Sequence, residues 1–111
     1  MESKSKELLN FMLTGVHDKW KEMLILILNS NDGIKVLNLI TKKLNKHKNS
    51  IYILPFKENI FNAFKYFDLH ETKLVLLGQD PYINGEYINN NFLPQAMGLS
   101  FSVPENIKVP P

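Results

Sequence analysis

The sequence predicts an α/β chain, and three observations carry that prediction. Leu74, Val75, Leu76 and Leu77 form an unbroken apolar run between Lys73 and Gly78, the pattern of a strand buried on both faces, as in parallel sheets. Upstream, apolar residues recur at helical spacing in several segments, so helices precede the strand in the order that an α/β layer uses. Downstream, residues 98–103 are small and apolar enough to form a second strand beside the first. With 111 residues and 44% hydrophobic content, residues 1–111 read as one globular piece with a modest core.

The helices follow from periodicity and punctuation. Residues 1–7 are polar at their start and are expected to be frayed or flexible. A first helix is expected from Leu8 until Gly15 interrupts it. A second spans residues 17–28, where Trp20, Leu24, Ile27 and Leu28 share one face and Trp20 reads as a core anchor. Residues 29–33 are a turn cluster in which Asp32 can cap the next helix, expected over 33–45 with Val36, Leu37, Ile40 and Leu44 as its inner stripe. Lys42, Lys43, Lys46, His47 and Lys48 make a basic outer side, which reads as a solvated helix face. Residues 51–54 are extended or loop, halted by Pro55. Residues 57–67 then place Ile60, Phe61, Phe64 and Phe67 at helical spacing, which argues for burial and against a base-stacking platform.

The second half is less regular. Residues 83–94 form a polar loop with three successive asparagines, Asn89, Asn90 and Asn91. Pro104 ends the second strand, and Val109-Pro110-Pro111 begins a stiff extended segment.

Bulk properties exclude several classes. The net charge of +2 does not announce nucleic acid, whose partners usually show a strongly basic face. Without cysteine there is neither a disulfide framework nor a thiolate metal site. His17, His47 and His70 stand at no ligand spacing, so no metal site is expected. The longest apolar run, residues 23–28, is too short to span a bilayer, and the N-terminus lacks a signal-peptide core. The expectation is an intracellular protein, not secreted and with no membrane partner.

Chemistry concentrates where the first strand ends. Gly78 permits close approaches, while Pro81 fixes its own backbone and pushes Asp80 away from helix. Gln79, Asp80 and Tyr82 would therefore sit on a stiff loop at the carboxyl end of a strand, where open α/β sheets collect ligands. Local composition alone fits a plain turn with a solvated Asp equally well.

The segment Leu77-Gly78-Gln79-Asp80-Pro81-Tyr82, then Gln95-Ala96-Met97-Gly98-Leu99-Ser100-Phe101-Ser102-Val103, then Val109-Pro110-Pro111, resembles the uracil-DNA glycosylases of the UNG type (family 1). The match stops at Pro111, about halfway through the usual catalytic domain of that family. The resemblance implies the first two strands of a parallel sheet, with preceding helices, from a three-layer α/β/α fold. It implies hydrolysis of the N-glycosidic bond of uracil in single- or double-stranded DNA during base excision repair, with the base flipped out of the stack. It assigns Asp80 as the catalytic carboxylate, Tyr82 as the residue that crowds the thymine methyl, Phe101 as the ring stacked on uracil, and Gln79 as a pocket wall through its backbone. Pro110 and Pro111 match a loop that presses on the DNA backbone. No cofactor or metal is implied, and the location implied is the nucleus or another DNA-containing compartment.

Departures from the family pattern qualify that expectation. Ile83 stands where the family usually has His, Met97 replaces another frequent His, and residues 83–94 resemble an insertion between the two motifs. The family's uracil-reading Asn and its later His-containing segment have no counterpart in these 111 residues. The expectation is therefore a weak or inactive chain on its own, with an unpaired strand edge that invites aggregation, the missing C-terminal half, or a replication partner. The alternative is a catalytically impaired module that binds DNA or such a partner.

Overall fold

The helices build the core, and the start of the second one is held by a side chain remote in sequence, Asp68. The computed structural model describes residues 1–47 and 53–111; Lys48 of the basic side and residues 51–52 of the expected extended run lie outside the described residues. Three α-helices, α1 (Ser3–Met12), α2 (Asp18–Leu28) and α3 (Asn31–Lys46), are followed by three single 3-10 turns at Lys57–Asn59, Asn62–Phe64 and Leu69–Glu71. A hairpin of β1 (Gly85–Ile88) and β2 (Asn91–Pro94) comes last. The chain thus combines helices with a small sheet.

Leu9, Met12, Leu13, Val16 and Leu37 form the buried cluster, with Trp20, Leu24, Leu28, Ile60, Phe61 and Phe64 packed around it. Trp20 is half-buried and meets the Phe64 ring at 4.8 Å between centroids, so its role as an anchor holds. Aromatic pairs at this spacing add to the apolar area they remove from water.

The first helix begins at Ser3, inside the stretch 1–7 expected to be frayed. Ser5 is fully buried. Its Oγ lies 2.6 Å from Asn38 Oδ1 and 3.1 Å from Thr41 Oγ1, whose hydroxyl donates to the Leu37 carbonyl. This polar clasp satisfies each hydroxyl where water is excluded and pins α1 across α3.

The cap of α3 is Ser30, which accepts the Gly33 N–H at 3.1 Å, so the expected role of Asp32 is corrected. Gly33 sits against the end of α2, where an added Cβ would meet Leu28 Cα at 2.7 Å. That close approach permits the sharp turn between α2 and α3. Val36 is exposed and leaves the expected inner stripe, while Leu37 is completely buried. The helix expected over 57–67 is also corrected. It is two 3-10 turns, which put Ile60, Phe61 and Phe64 on the core and leave Phe67 exposed.

The largest correction concerns the sheet. Among the described residues the only ladder is the antiparallel β1–β2 pair, in register Gly85 to Pro94 and Ile88 to Asn91. The run at 74–77 has no strand neighbour and is exposed, with Leu77 at 95%. A strand buried on both faces needs a hydrogen-bonding neighbour and a layer on each side, and these residues supply neither. Residues 98–103 do not pair with it because the backbone there turns. Gly98 has φ +82° and Phe101 φ +66°, and the Ser102 N–H donates back to the Leu99 carbonyl at 3.2 Å.

The accessible surface is 8416 Å², against about 6,300 Å² for a folded monomer of this size. Much of the exposed area is apolar, including 74–77 and Leu26, Ile27 and Leu39 on α2 and α3.

Candidate functional site

A cleft of about 440 Å³ opens between two loops, one carrying Gly78 to Tyr82 and the other Ala96 to Phe101. This is within the range of about 300–1,000 Å³ typical of small-molecule sites. Gln79, Asp80, Tyr82 and Phe101 all line it, although Phe101 lies far from the others in sequence. Pro110 and Pro111 are not among the lining residues.

Each wall is held by a definite contact. Gly78 packs beneath Ser100, where an added Cβ would meet Ser100 Oγ at 3.1 Å. Ser100 Oγ stands 3.5 Å from the Leu76 carbonyl, a long contact that keeps the two loops side by side. On the opposite side Asn62 Nδ2 donates to the Met97 carbonyl at 2.7 Å, tying the cleft wall to the 3-10 turn beneath it. Pro55 contributes a further apolar surface.

Asp80 is exposed to the cleft mouth, and Gln79 Nε2 donates to its Oδ2 at 3.0 Å. One carboxylate oxygen is thus oriented by a neutral amide while the other is left to accept from a ligand or water. Tyr82 is half-buried in the wall. Phe101 is 71% exposed and sits at a positive φ that a bulky side chain rarely adopts. Such a backbone costs of order 1–3 kcal/mol and persists where the surroundings impose it. At this position Phe101 is one of the residues that line the cleft. Ile83, directly after Tyr82, is 84% exposed and does not line the cleft.

The arrangement offers a flat, mostly apolar slot with one carboxylate at its mouth. Tyr82 and Phe101 contribute aromatic surface to its lining, and Asp80 is its one acidic lining residue. Among the described residues no group of His, Asp and Glu is placed to hold a metal ion. No single described helix is long and apolar enough to cross a membrane.

The chain is 44% identical over 98 residues to a protein of Campylobacter jejuni subsp. doylei named uracil-DNA glycosylase, covering 86% of this chain and 37% of that relative. It is 43% identical over the same length to the uracil-DNA glycosylase of Campylobacter jejuni subsp. jejuni. This chain is a homologue of the uracil-DNA glycosylases. The relative named uracil-DNA glycosylase in Francisella tularensis subsp. novicida is 51% identical over 63 residues, 57% of this chain and 25% of the relative. The chain therefore spans between a quarter and little more than a third of the length of these relatives. No family model matches the chain, and no solved structure does.

Sequence reasoning had not found Asn62, Ser100 or Pro55. Asn62 sits among Phe61 and Phe64 in a stretch whose aromatic spacing dominates, so its amide carried no signal of its own. The available hint was Gly98, a residue that often marks close backbone approach. An added Cβ there would collide with the Asn59 carbonyl.

Proposed function

We propose that the chain carries the uracil-binding and carboxylate part of a uracil-DNA glycosylase, which hydrolyses the N-glycosidic bond between uracil and deoxyribose in single- or double-stranded DNA. The observation that carries this reading is the convergence of Gln79, Asp80, Tyr82 and Phe101 on one cleft from segments separated by a hairpin. A base lodged in that cleft must leave the helical stack first, as base-modifying enzymes require.

Cleavage of the bond leaves positive charge on the sugar and negative charge on the departing base, comparable to the oxocarbenium-like states of glycosidases. Asp80, with one oxygen held by Gln79, stabilises the cationic sugar electrostatically and orients the attacking water. The water adds its hydroxyl to the sugar carbon and its proton ends on the released uracil. Phe101 stacks on the uracil ring. Tyr82 excludes thymine by occupying the space of its methyl group, which is selectivity by clash. Pro110 and Pro111 touch the DNA backbone outside the cleft. The substrate sets the working location, a DNA-containing compartment inside the cell.

The same reading gives 74–77 and 98–103 their place. In a longer chain of this family they would lie as neighbouring strands of a parallel sheet between helical layers, and the exposed apolar run at 74–77 would be the surface that further strands and helices cover.

A second reading is favoured by Ile83. Its exposed aliphatic side chain offers no hydrogen bond to a catalytic water. A chain so equipped would bind DNA or a replication partner without cleaving. Release of free uracil from a uracil-containing single-stranded oligonucleotide, by the longest polypeptide translated from this reading frame, separates the two. The glycosylase reading expects release with formation of an abasic site; binding without release favours the module.

A further inference from the structure

The polar stretch between Tyr82 and Gln95 is the β1–β2 hairpin, and its base is tied to a third segment. The Gln95 N–H donates to the Asn84 carbonyl at 2.9 Å and closes the hairpin. Glu86 Oε2 accepts the backbone N–H of Lys108 at 2.8 Å. Gln95 Nε2 donates to the Lys108 carbonyl at 3.1 Å. Both backbone polar groups of Lys108 are therefore gripped, one from each strand side of the hairpin base. Ile107, Pro94 and Ala96 are buried around the same junction, and Ala96 is itself part of the cleft wall.

Lys108 is followed by Val109, Pro110 and Pro111. The two prolines have no N–H with which to anchor themselves, so the segment inherits its position from Lys108. A charge-assisted bond such as that from Glu86 is stronger and more directional than a neutral one. A carboxylate also repels phosphate, so its presence beside a DNA path is unfavourable unless it contributes position.

We propose that Glu86 is a positioning residue for DNA binding: by holding the Lys108 N–H it sets the Val109-Pro110-Pro111 segment against the backbone of the bound strand, beside the cleft. The inference rests on the DNA-glycosylase reading and extends it to a hairpin that the motif residues do not include. The hairpin links the loop of Asp80, the loop of Phe101 and the proline segment into one unit.

The test compares Glu86→Ala and Glu86→Gln with the unaltered chain. Affinity for a fluorescent uracil-containing single-stranded oligonucleotide is read by anisotropy, and exchange of the Lys108 amide proton by NMR. Alanine removes the acceptor and glutamine keeps it without the charge. The expected result is that Glu86→Ala exchanges the Lys108 proton at least about fivefold faster and binds DNA at least about threefold more weakly, while Glu86→Gln, which keeps a neutral acceptor and relieves repulsion of phosphate, shows a smaller rise in exchange and binds no more weakly than the unaltered chain. Tighter or unchanged binding by both variants would show that Glu86 acts only as a surface charge and overturn the inference, leaving the glycosylase reading intact. Unchanged Lys108 exchange in Glu86→Ala would overturn the clamp itself. Failure of the unaltered chain to bind DNA would overturn the DNA reading and the inference together.

Discussion

Asn62 Nδ2 donates to the Met97 carbonyl at 2.7 Å, joining residues 35 positions apart and fixing the wall of the cleft to the turn that carries Phe61 and Phe64. Met97 precedes Gly98, whose φ of +82° swings the chain toward Phe101. The bond therefore lies between the helical core and the segment that carries Phe101 to the cleft lining.

Asn62→Ala removes that donor and leaves a half-buried carbonyl to water. The expected cost is about 1 kcal/mol of folding free energy, seen as a lower urea midpoint at unchanged slope. Exchange of the amide protons of residues 97–101 should quicken in the same variant. An unaltered midpoint together with unaltered exchange contradicts the assignment of Asn62 as the tie.

Asp68 caps α2 from across the chain. Its carboxylate accepts the N–H groups of Lys19 at 3.0 Å, Trp20 at 3.2 Å and Leu69 at 2.8 Å, so free donors at the start of α2 find their partner some fifty residues later. Partial desolvation raises the carboxyl pKa, but the N–H groups of Leu69, Lys19 and Trp20, with His70 nearby, outweigh it and hold the group below its ordinary 3.8. A depressed value in the folded state means that the stabilisation is present above the unfolded value and is lost as pH falls through the folded one. Urea midpoints should therefore drop on acidification below about pH 4. In Asp68→Asn that part of the acid dependence should be absent, with a lower midpoint near neutrality. An identical acid profile in both proteins contradicts the cap.

Leu37 and Leu77 separate core from unpaired run. Leu37 is fully buried and Leu77 is 95% exposed. Leu37→Ala should cost about 2–5 kcal/mol through lost burial and the cavity left behind. Leu77→Ala should change stability by less than about 0.5 kcal/mol. Leu77→Lys should raise solubility, because a charge on an exposed apolar strand-like segment opposes edge-to-edge association. A large loss of stability at Leu77 would mean that the run is buried in solution, for instance between copies of the chain.

The parts of the fold legible in the sequence were those set by local pattern. The α2 and α3 helices follow from spacing around Trp20, Leu24, Leu28 and Leu37, and their ends fall within two residues of expectation. Other features depended on partners that sequence does not display. Ser5 is ordered by Asn38 and Thr41, a contact that no periodicity announces. The stretch containing Phe61 and Phe64 has helical spacing, yet two 3-10 turns carry the same aromatics to the core. The run at 74–77 has the composition of a central strand, but composition reports what a segment can bury and not whether a neighbour is present to cover it.

The candidate site was legible as motifs and not as geometry. Asp80, Tyr82, Gln79 and Phe101 were marked by resemblance, and the cleft brings them together. Residues 98–103, expected as a strand, turn instead, and the turn carries Phe101 to the cleft lining. Pro110 and Pro111 lie outside the cleft lining, and their link to it runs through Lys108, Glu86 and Gln95. The polar composition of residues 83–94 concealed a hairpin because Asn89 and Asn90, at φ +51° and +65°, supply the left-handed turn between β1 and β2, a use of Asn that local sequence permits without requiring.

The most direct test of the central claim is uracil release from a uracil-containing single-stranded oligonucleotide by the longest polypeptide translated from this reading frame, beside the same polypeptide bearing Asp80→Asn. The account predicts release by the unaltered protein and a loss of about a hundredfold or more in turnover on substitution, with oligonucleotide binding retained. Equal release by the two proteins, or none from a folded unaltered protein, would contradict the role given to Asp80.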